Sequence, residues 1–350
     1  MTDLLALTAE LIAIPSVSHD EREITDWFEA QLRDLAWLEV ARVANNVVAR
    51  TQLGRPQRLL IAGHTDTVPA NGNEVPRIEA DAVHGLGAAD MKSGLAVMLE
   101  LARTEPQPAV DVTYVFYECE EVDARFNGIA HLLAEAPDLL AADAAVLAEP
   151  TGGLIEAGCQ GTLRAEVTLL GERAHTARAW LGRNAIHRLA PLLDALARYE
   201  ARTVEIDGCE FREGLQAVFV EGGVAGNVVP DRAVLRVNHR FAPDRDPEEA
   251  ERHVRQVIGE VDGFELVDVA AGALPALDHP LLAKLVAATG QPPRAKLGWT
   301  DVSRMAARGV PATNFGPGDP NLAHTAGEWV GRTALEATLA ALRTVIASAP

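Results

Sequence analysis

Hydrophobic and polar positions follow two different patterns along the chain. Before residue 161, apolar runs such as RLLIAGH (58–64) and VDVTYVFY (110–117) alternate with segments whose apolar residues recur at helical spacing, such as SGLAVMLELART (93–104). Continuous apolar strands separated by helices are typical of a mostly parallel sheet with both faces covered. This part of the chain is therefore predicted to have an α/β fold.

The pattern changes near residue 161. GTLRAEVTLLGERAHTA (161–177) alternates apolar and polar residues, as a strand with one wet face does. GRNAIHRLAPLLDALARYEA (182–201) and DPEEAERHVRQVIGEV (246–261) have the apolar spacing of amphipathic helices. The chain is predicted to contain a smaller α+β domain inserted into a discontinuous main domain, with the main domain at 1–160 and 275–350 and the insertion at 161–274.

The N-terminus is predicted to form two helices, 3–13 and 20–36, with Ser18 as the N-cap of the second. The first segment contains Asp3 and Glu10 and lacks the basic start of a signal peptide. No apolar run reaches the ~20 residues that a membrane-spanning helix requires. We therefore expect a cytoplasmic protein that does not enter a membrane.

Composition and charge narrow the classes of partner. The 350 residues are 48% hydrophobic and 23% charged, as in ordinary soluble domains, and the net charge is −19. Nucleic acids and anionic membranes are bound through Lys and Arg, so neither is an expected partner. The three cysteines, Cys119, Cys159 and Cys209, are widely spaced, which argues against a disulfide framework and fits a reducing compartment.

Histidine and acidic residues collect where the predicted strands end and in two glycine-rich loops. In open α/β sheets, ligands bind at the carboxyl ends of the strands. Imidazole and carboxylate groups gathered there would form a metal site with nitrogen and oxygen ligands. Each motif is weak when taken alone, so the prediction depends on their occurring together. The residues concerned are His64, Asp66, Asp90, Glu120, Glu121, Glu149 and His324.

These candidates are too many for one catalytic zinc ion, which usually has three protein ligands. They suit two metal ions about 3.5–4 Å apart that share a bridging carboxylate. Residues i and i+2 of a strand point to the same side, so His64 is expected to bind metal while Asp66 accepts its other ring N–H. Glu120 and Glu121 are adjacent and point apart, so one is expected to bind metal and the other to act as a general base.

The ordered motifs GHTDTVP, GLGAADMKSG, YECEEVD, LAEPT and LAHTAGE resemble the motif set of the M20 family of di-zinc amidohydrolases and peptidases, over almost the whole chain. Stretches such as RAHTARAWLGRNAIH, VEGGVAGNVVPD and VNHRFAPDR are similar to those of its succinyl-diaminopimelate desuccinylase branch of the short actinobacterial type. The resemblance implies a zinc-peptidase-like main domain and an inserted dimerisation or lid domain.

The resemblance also implies how the metal ligands divide. Asp90 would bridge two Zn²⁺ ions, for which Co²⁺ or Mn²⁺ are substitutes. His64 and Glu149 would complete the coordination of one ion. Glu121 and His324 would complete that of the other ion.

Catalytic roles follow from the same resemblance. Glu120 would be the general base, and Asp66 would orient the metal-binding His64. The peptide bond between Asp90 and Met91 is expected to be cis. In homodimers of the family, a histidine matched here by His175 reaches the partner's active site, where it would stabilise an oxyanion.

The implied substrate is N-succinyl-L,L-2,6-diaminopimelate, which would be hydrolysed to succinate and L,L-diaminopimelate in lysine and diaminopimelate biosynthesis. Its carboxylates need fixed cations, and Arg pairs with a carboxylate through two parallel hydrogen bonds. Arg240 and Arg178 match positions near substrate in the desuccinylases. Asn227 and Thr300 match positions that offer hydrogen bonds.

Two alternatives remain open on the sequence. N-acetylornithine deacetylases, aminoacylases and carboxypeptidases of the same family share the metal motifs, so those motifs do not select the acyl group. A non-catalytic relative acting as a small-molecule-binding dimer is the alternative from another class. The presence of Glu120 together with all five ligand types argues against it.

Overall fold

The structure, a computed structural model, describes residues 2–347. The chain divides into two compact units, each with its own hydrophobic core. The larger unit contains the chain up to Ala157, Pro275–Arg294 and the chain from Arg304 onward, and the smaller contains Gly158–Leu274 and Ala295–Ser303.

One part of the predicted domain division is wrong. Residues 295–303 were predicted to belong to the main domain, but they cluster with the smaller unit. The main-chain N–H of Gln160 donates to the carbonyl of Lys296, and the Ser303 hydroxyl donates to the carbonyl of Ala271. These long-range hydrogen bonds attach the segment to the smaller unit, and no local sequence pattern reports them.

The α-helices within the described residues are α1 (Leu4–Ala13), α2 (Arg22–Arg33), α3 (Lys92–Thr104), α4 (Gly128–Glu135), α5 (Ala190–Ala197), α6 (Pro247–Ile258), α7 (Pro280–Thr289), α8 (Val302–Ala307) and α9 (Arg332–Ala347). Side-chain caps explain where some of them begin. Asp3 accepts the N–H of Leu5 at the start of α1, and Asp246 and Glu249 form a capping box at the start of α6. None of these helices has the length and apolarity needed to cross a membrane.

The strands up to Ala157 are β1 (Glu39–Val43), β2 (Asn46–Arg50), β3 (Arg58–His64), β4 (Arg77–Glu79), β5 (Ala82–His84), β6 (Asp111–Tyr117), β7 (Ala144–Leu147) and β8 (Glu156–Ala157). Those that follow along the chain are β9 (Gly161–Leu170), β10 (Thr203–Ile206), β11 (Cys209–Arg212), β12 (Gly214–Gly222), β13 (Arg232–Phe241), β14 (Gly263–Ala270), β15 (Arg294–Ala295), β16 (Ala312–Asn314) and β17 (Trp329–Gly331).

An eight-stranded sheet forms the centre of the larger unit, in the order β1-β2-β6-β3-β7-β16-β8-β15. The four central strands β6, β3, β7 and β16 run parallel to one another, whereas β1 pairs with β2, β2 with β6 and β8 with β16 in antiparallel fashion. Every residue of β6 and β7 is buried, which explains their continuous apolar sequence. The predicted α/β fold with a mostly parallel sheet is therefore confirmed.

The smaller unit is built on an antiparallel sheet in the order β12-β13-β9-β14. Burial alternates along β9, as its sequence predicts, and α5 and α6 pack on the sheet. The edge strand β12 exposes the apolar side chains of Val218, Phe219 and Val220. A second, smaller α+β unit with one open sheet face is thus present.

The long helix predicted over 182–201 is wrong. The α-helix spans only Ala190–Ala197 and follows a 3₁₀ turn at His187–Leu189. Arg183 instead pairs with Glu172 as an isolated β-bridge, and the N–H of Ala185 donates to the carbonyl of Pro230. Tertiary hydrogen bonds therefore hold the first residues in an extended form, and a proline in the first turn favours the later start.

Candidate metal centre

Three neighbouring parallel strands, in the order β6-β3-β7, end at one edge of the large sheet. β3 ends at His64, β6 at Tyr117 and β7 at Leu147. Because parallel strands share one carboxyl end, the residues that follow them come together there. Asp66, the Glu120–Glu121 pair and Glu149 follow β3, β6 and β7 in that order.

Of the groups of potential metal ligands at this edge, one joins His64, Glu120 and Glu121, and two others share Asp90. His64, Asp90 and Glu149 make the first group, and Asp90, Glu121 and His324 make the second, with the ligand atoms of each group within 4.8 Å of one another. These are the groups that the family resemblance implies. Their roles as ligands stay a prediction.

Asp90 turns a different carboxylate oxygen toward each group. Its Oδ1 lies 3.1 Å from Nε2 of His64, and its Oδ2 lies 3.7 Å from Nε2 of His324. Nε2 of His324 lies 2.7 Å from Oε1 of Glu121. A carboxylate that uses its two oxygens in this way suits two cations with imidazole and carboxylate ligands, so the donor set fits the metal pair.

Carboxylates control the protonation of both histidines in this arrangement. Burial lowers the pKa of His64, but hydrogen bonds to Asp66 and Asp90 outweigh that effect and hold the pKa well above its usual value. The hydrogen bond to Glu121 raises the pKa of His324 to about 8. The negative potential that stabilises a proton on each ring would equally stabilise a metal cation at this place.

Both oxygen types of Asp66 lie near the Nδ1 side of the His64 ring. Nδ1 of His64 lies 3.0 Å from the main-chain oxygen of Asp66 and 3.5 Å from its carboxylate. The carbonyl is the nearer acceptor, and the carboxylate adds a charge on the same side of the ring. The predicted role of Asp66 in orienting His64 stays a prediction.

The Asp66 carboxylate also positions the tandem glutamates. It accepts the N–H of Glu120 at 3.0 Å, the N–H of Glu121 at 3.1 Å and the hydroxyl of Ser18 at 2.7 Å. Burial raises the pKa of Asp66, but His64 and these donors outweigh it and lower the pKa to about 2. Asp66 therefore stays charged and fixes the loop that carries both glutamates.

Two residues hold the chain near the tandem glutamates: Ser18, which was predicted to have another role, and Glu21, which was not predicted. Ser18 was predicted to cap α2, but that helix begins four residues later and Ser18 contacts Asp66 instead. Glu21, which is fully buried, accepts the N–H of Cys119 at 3.2 Å. Cys119 has a φ of 57°, so the chain turns there and Glu120 and Glu121 lie beyond the end of β6 at Tyr117.

Glu328 was given no role in the prediction from sequence, although it ends the motif LAHTAGE. Its side chain is 2% exposed and accepts three main-chain N–H groups, from Gly87, Ala89 and Asp90, at 2.8–3.0 Å. Glu328 thus connects the segment that carries His324 to the loop that carries Asp90. The peptide between Asp90 and Met91 in this loop is cis, which confirms that prediction.

The candidate residue for oxyanion stabilisation lies in the smaller unit. His175 is exposed, and its Nδ1 accepts the N–H of Ala177 at 3.0 Å. In a neutral ring the proton then resides on Nε2, which can donate a hydrogen bond. Asn227 lies beside it, since its carbonyl accepts the N–H of Thr176.

The candidate substrate residues also lie in the smaller unit but differ in burial. Arg178 and Asn227 are exposed, Thr300 is buried, and Arg240 is half-buried at the end of β13. Burial lowers the pKa of Arg240. Among residues 2–347 its guanidinium forms no ion pair, so a half-buried cation is available for an anionic ligand.

Comparison with known proteins identifies the family. The model of Peptidase family M20/M25/M40 matches residues 60–348. A Mycobacterium tuberculosis protein, provisionally named a succinyl-diaminopimelate desuccinylase, is 57% identical over 94% of this chain and 93% of its own length. The Corynebacterium glutamicum succinyl-diaminopimelate desuccinylase is 50% identical over 92% of this chain and 90% of its own length.

Solved structures share the fold at lower sequence identity. A tripeptidase from Staphylococcus aureus has a TM-score of 0.80 and 22% identity, covering 98% of this chain and 97% of its own. A Bacillus subtilis protein described as a dinuclear metal-binding peptidase has a TM-score of 0.70 and 16% identity, covering 98% of this chain and 96% of its own.

Proposed function

The chain belongs to Peptidase family M20/M25/M40, and from this premise we propose that it hydrolyses N-succinyl-L,L-2,6-diaminopimelate to succinate and L,L-diaminopimelate. The proposal of a metal-dependent amide hydrolase rests on one observation. Two groups of potential metal ligands share Asp90. The names of the relatives at 57% and 50% identity support the succinyl substrate. The reaction would belong to lysine and diaminopimelate biosynthesis.

The metal centre proposed for this reaction holds two Zn²⁺ ions, with Co²⁺ or Mn²⁺ as substitutes. His64 and Glu149 would hold one ion, Glu121 and His324 the other, and Asp90 both. When bound, the pair supplies Lewis acidity that polarises the scissile carbonyl and acidifies the attacking water. The mixed imidazole and carboxylate donors suit these borderline cations better than Ca²⁺ or Mg²⁺.

Glu120 is the residue proposed to move the proton. It lies outside both groups that share Asp90, and the Asp66 carboxylate fixes its main chain. In this role Glu120 accepts a proton from the attacking water and returns it to the departing amine. The positioned carboxylate therefore serves both halves of the amide hydrolysis.

His175 is proposed to stabilise the oxyanion that develops on the succinyl carbonyl. The hydrogen bond from Ala177 leaves the Nε2–H group as the donor, which is the tautomer that this role requires. Arg240 and Arg178 would bind substrate carboxylates, while Asn227 and Thr300 would add hydrogen bonds. Arg240 is the stronger candidate, because it is half-buried and forms no ion pair within the described chain.

We further propose that the protein forms a homodimer through the smaller unit. The edge strand β12 leaves backbone groups unpaired along one side and exposes Val218, Phe219 and Val220. The unpaired backbone groups of such an edge strand can form hydrogen bonds with the same strand of a second copy of the chain. Light scattering tests this, because a fully active monomer would contradict both the dimer and a role of His175 in the partner's site.

The substrate is tested by hydrolysis assays on N-succinyl-L,L-diaminopimelate and N-acetylornithine, after chelation and after Zn²⁺ is restored. Zn²⁺-dependent turnover of the succinyl compound alone is the expected result. Turnover of the acetyl compound alone would keep the metal centre but reject the desuccinylase assignment. Turnover of neither compound by Zn²⁺-loaded protein would reject the proposed substrate.

A further inference from the structure

A second cluster of possible metal ligands lies in the smaller unit, among residues that the proposed reaction does not use. Glu213 lies between β11 and β12, His239 in β13 and His253 in α6. One ligand atom from each comes within 4.8 Å of the other two. A residue between two strands, a strand residue and a helix residue of this unit therefore come together there.

His239 presents an unused ring nitrogen to the cluster. Its side chain is fully buried, and Nδ1 lies 3.0 Å from the carbonyl oxygen of Gly214. A carbonyl can only accept, so Nδ1 carries the proton and Nε2 holds a lone pair. Nε2 is buried and has no hydrogen-bond partner among the described residues. Metal-binding histidines show this arrangement, in which a backbone carbonyl fixes the ring tautomer.

Glu213 presents a second unused acceptor. Its Oε1 accepts the N–H of Ala242, Nε of Arg245 and Nη1 of Arg202, at 2.8–3.3 Å. Its Oε2 is buried and lacks a partner within residues 2–347. His239 and Glu213 thus each have a buried acceptor without a donor among the described residues, and buried polar atoms are rarely left in that state unless water or an ion binds them.

His253 supplies a third ligand and reaches solvent. Its ring centroid lies 5.3 Å from that of His239, and the Tyr199 hydroxyl lies 2.9 Å from its Nε2. Burial lowers the pKa of both histidines, so both rings are neutral near pH 7. A cavity of about 350 Å³ lined by His253, Asp244 and Arg245 provides an entry path.

We propose that Glu213, His239 and His253 bind a divalent transition-metal ion, best matched by Zn²⁺, that ties α6 to β13 within the smaller unit. Two imidazoles and one carboxylate are a common Zn²⁺ ligand set, with water in the fourth position. Arg245 and Arg202 offset the charge of Glu213 and Asp244, whereas three carboxylates line the Asp90 centre. This cluster is therefore the weaker of the two sites and would lose its metal first on chelation.

The first test compares metal content between variants of the full chain. Metal-stripped wild-type protein, His253→Ala and His187→Ala are equilibrated with ZnCl₂ and analysed by mass spectrometry of the metal. His187 is an exposed histidine of the same unit and serves as the matched control. Wild type and His187→Ala should each hold one Zn²⁺ more per chain than His253→Ala. Equal content in all three would overturn the proposal.

A second test uses wild-type protein only and so does not depend on a variant that folds. Anomalous diffraction at the zinc edge from crystals soaked in ZnCl₂ should show a peak between Nε2 of His239, Oε2 of Glu213 and the His253 ring. Density without anomalous signal would assign a water to the cluster and refute the metal site. Both tests are separate from activity, so failure of the proposed desuccinylase reaction would leave their outcome unchanged.

Discussion

The two units differ in how they hold the side chains proposed to act on the substrate. In the larger unit, His64 and Asp66 are at most 1% exposed, and the Asp66 carboxylate accepts the main-chain N–H groups of Glu120 and Glu121. In the smaller unit, His175 and Arg178 are exposed on a 3₁₀ segment. Most of the candidate metal ligands are thus held among buried, hydrogen-bonded groups, with the exposed His324 as the exception, whereas His175 and Arg178 lie in solvent.

This contrast reflects the two kinds of chemistry. Metal ligands must keep their distances to a few tenths of an ångström, and hydrogen bonds from buried groups help to provide that rigidity. An exposed cation such as Arg178 carries no desolvation penalty before the substrate binds, whereas burial already disfavours the charge of Arg240. Substitutions in the two units should therefore alter different quantities, namely rate and metal affinity in the larger unit and KM in the smaller.

The largest effect is expected from Glu120→Gln, which keeps the shape of the side chain but removes the proton acceptor. We expect kcat to fall by about 10²–10⁴-fold, the usual contribution of a general base. Zn²⁺ content should not change, because Glu120 lies outside both groups that share Asp90. Glu79→Gln, at an exposed position of the same unit, is the control. Unaltered turnover would remove Glu120 from the role of base.

Glu328→Gln tests whether rigidity is what the larger unit contributes. The change removes the charge and one of the two oxygens that accept N–H groups from the Asp90 loop. We expect Zn²⁺ affinity to fall about 10–100-fold, as when residues supporting metal ligands are altered. Calorimetric titration of metal-stripped protein measures this. An affinity equal to that of Glu336→Gln, on the exposed face of α9, would show that the loop needs no such support.

Arg240→Lys tests the smaller unit. Lys retains the charge but cannot form two parallel hydrogen bonds with a carboxylate. The loss should raise KM for the succinyl substrate by about tenfold, and kcat should change less, because the interaction serves binding. Arg198→Lys, at an exposed site in the same unit, should leave both constants unchanged. A fall in kcat alone would instead place Arg240 near the reacting atoms.

The smallest effect is expected from Asp111→Asn, which changes a structural carboxylate of the larger unit remote from the proposed chemistry. Burial raises the pKa of Asp111, but the Thr51 hydroxyl and the N–H groups of Leu53 and Arg55 outweigh it and lower the pKa below 3.8. A lowered folded-state pKa stabilises the protein above the unfolded value and loses that stabilisation as pH falls through the folded value.

Urea unfolding of wild type and Asp111→Asn at several pH values measures this stabilisation. The wild type should be more stable by about 1.5–3 kcal/mol at pH 7, the usual value for hydrogen bonds to a charged group. The difference should shrink as pH falls below 3.8. A difference that stays constant with pH would show that the charge of Asp111 contributes nothing.

Much of the metal centre was predictable from sequence because its residues lie beside strands with clear boundaries. The buried run before His64 determines where β3 ends, and the equivalent runs determine the ends of β6 and β7. Parallel neighbours then bring those ends together without further information. The helix predicted over 182–201 was wrong because its apolar spacing is shared by residues that form tertiary hydrogen bonds.

Sequence by itself determined the α/β class, the inserted unit and the types of metal ligand, because periodic burial and strand ends are local properties. Tertiary structure decided which oxygen of Asp90 faces each histidine, what Asp66 and Glu328 hold, and that Glu213, His239 and His253 meet. Glu328 is 239 residues from Ala89, whose N–H it accepts. A hydrogen bond across that separation depends on which segments pack together, and the fold of the whole chain fixes that packing.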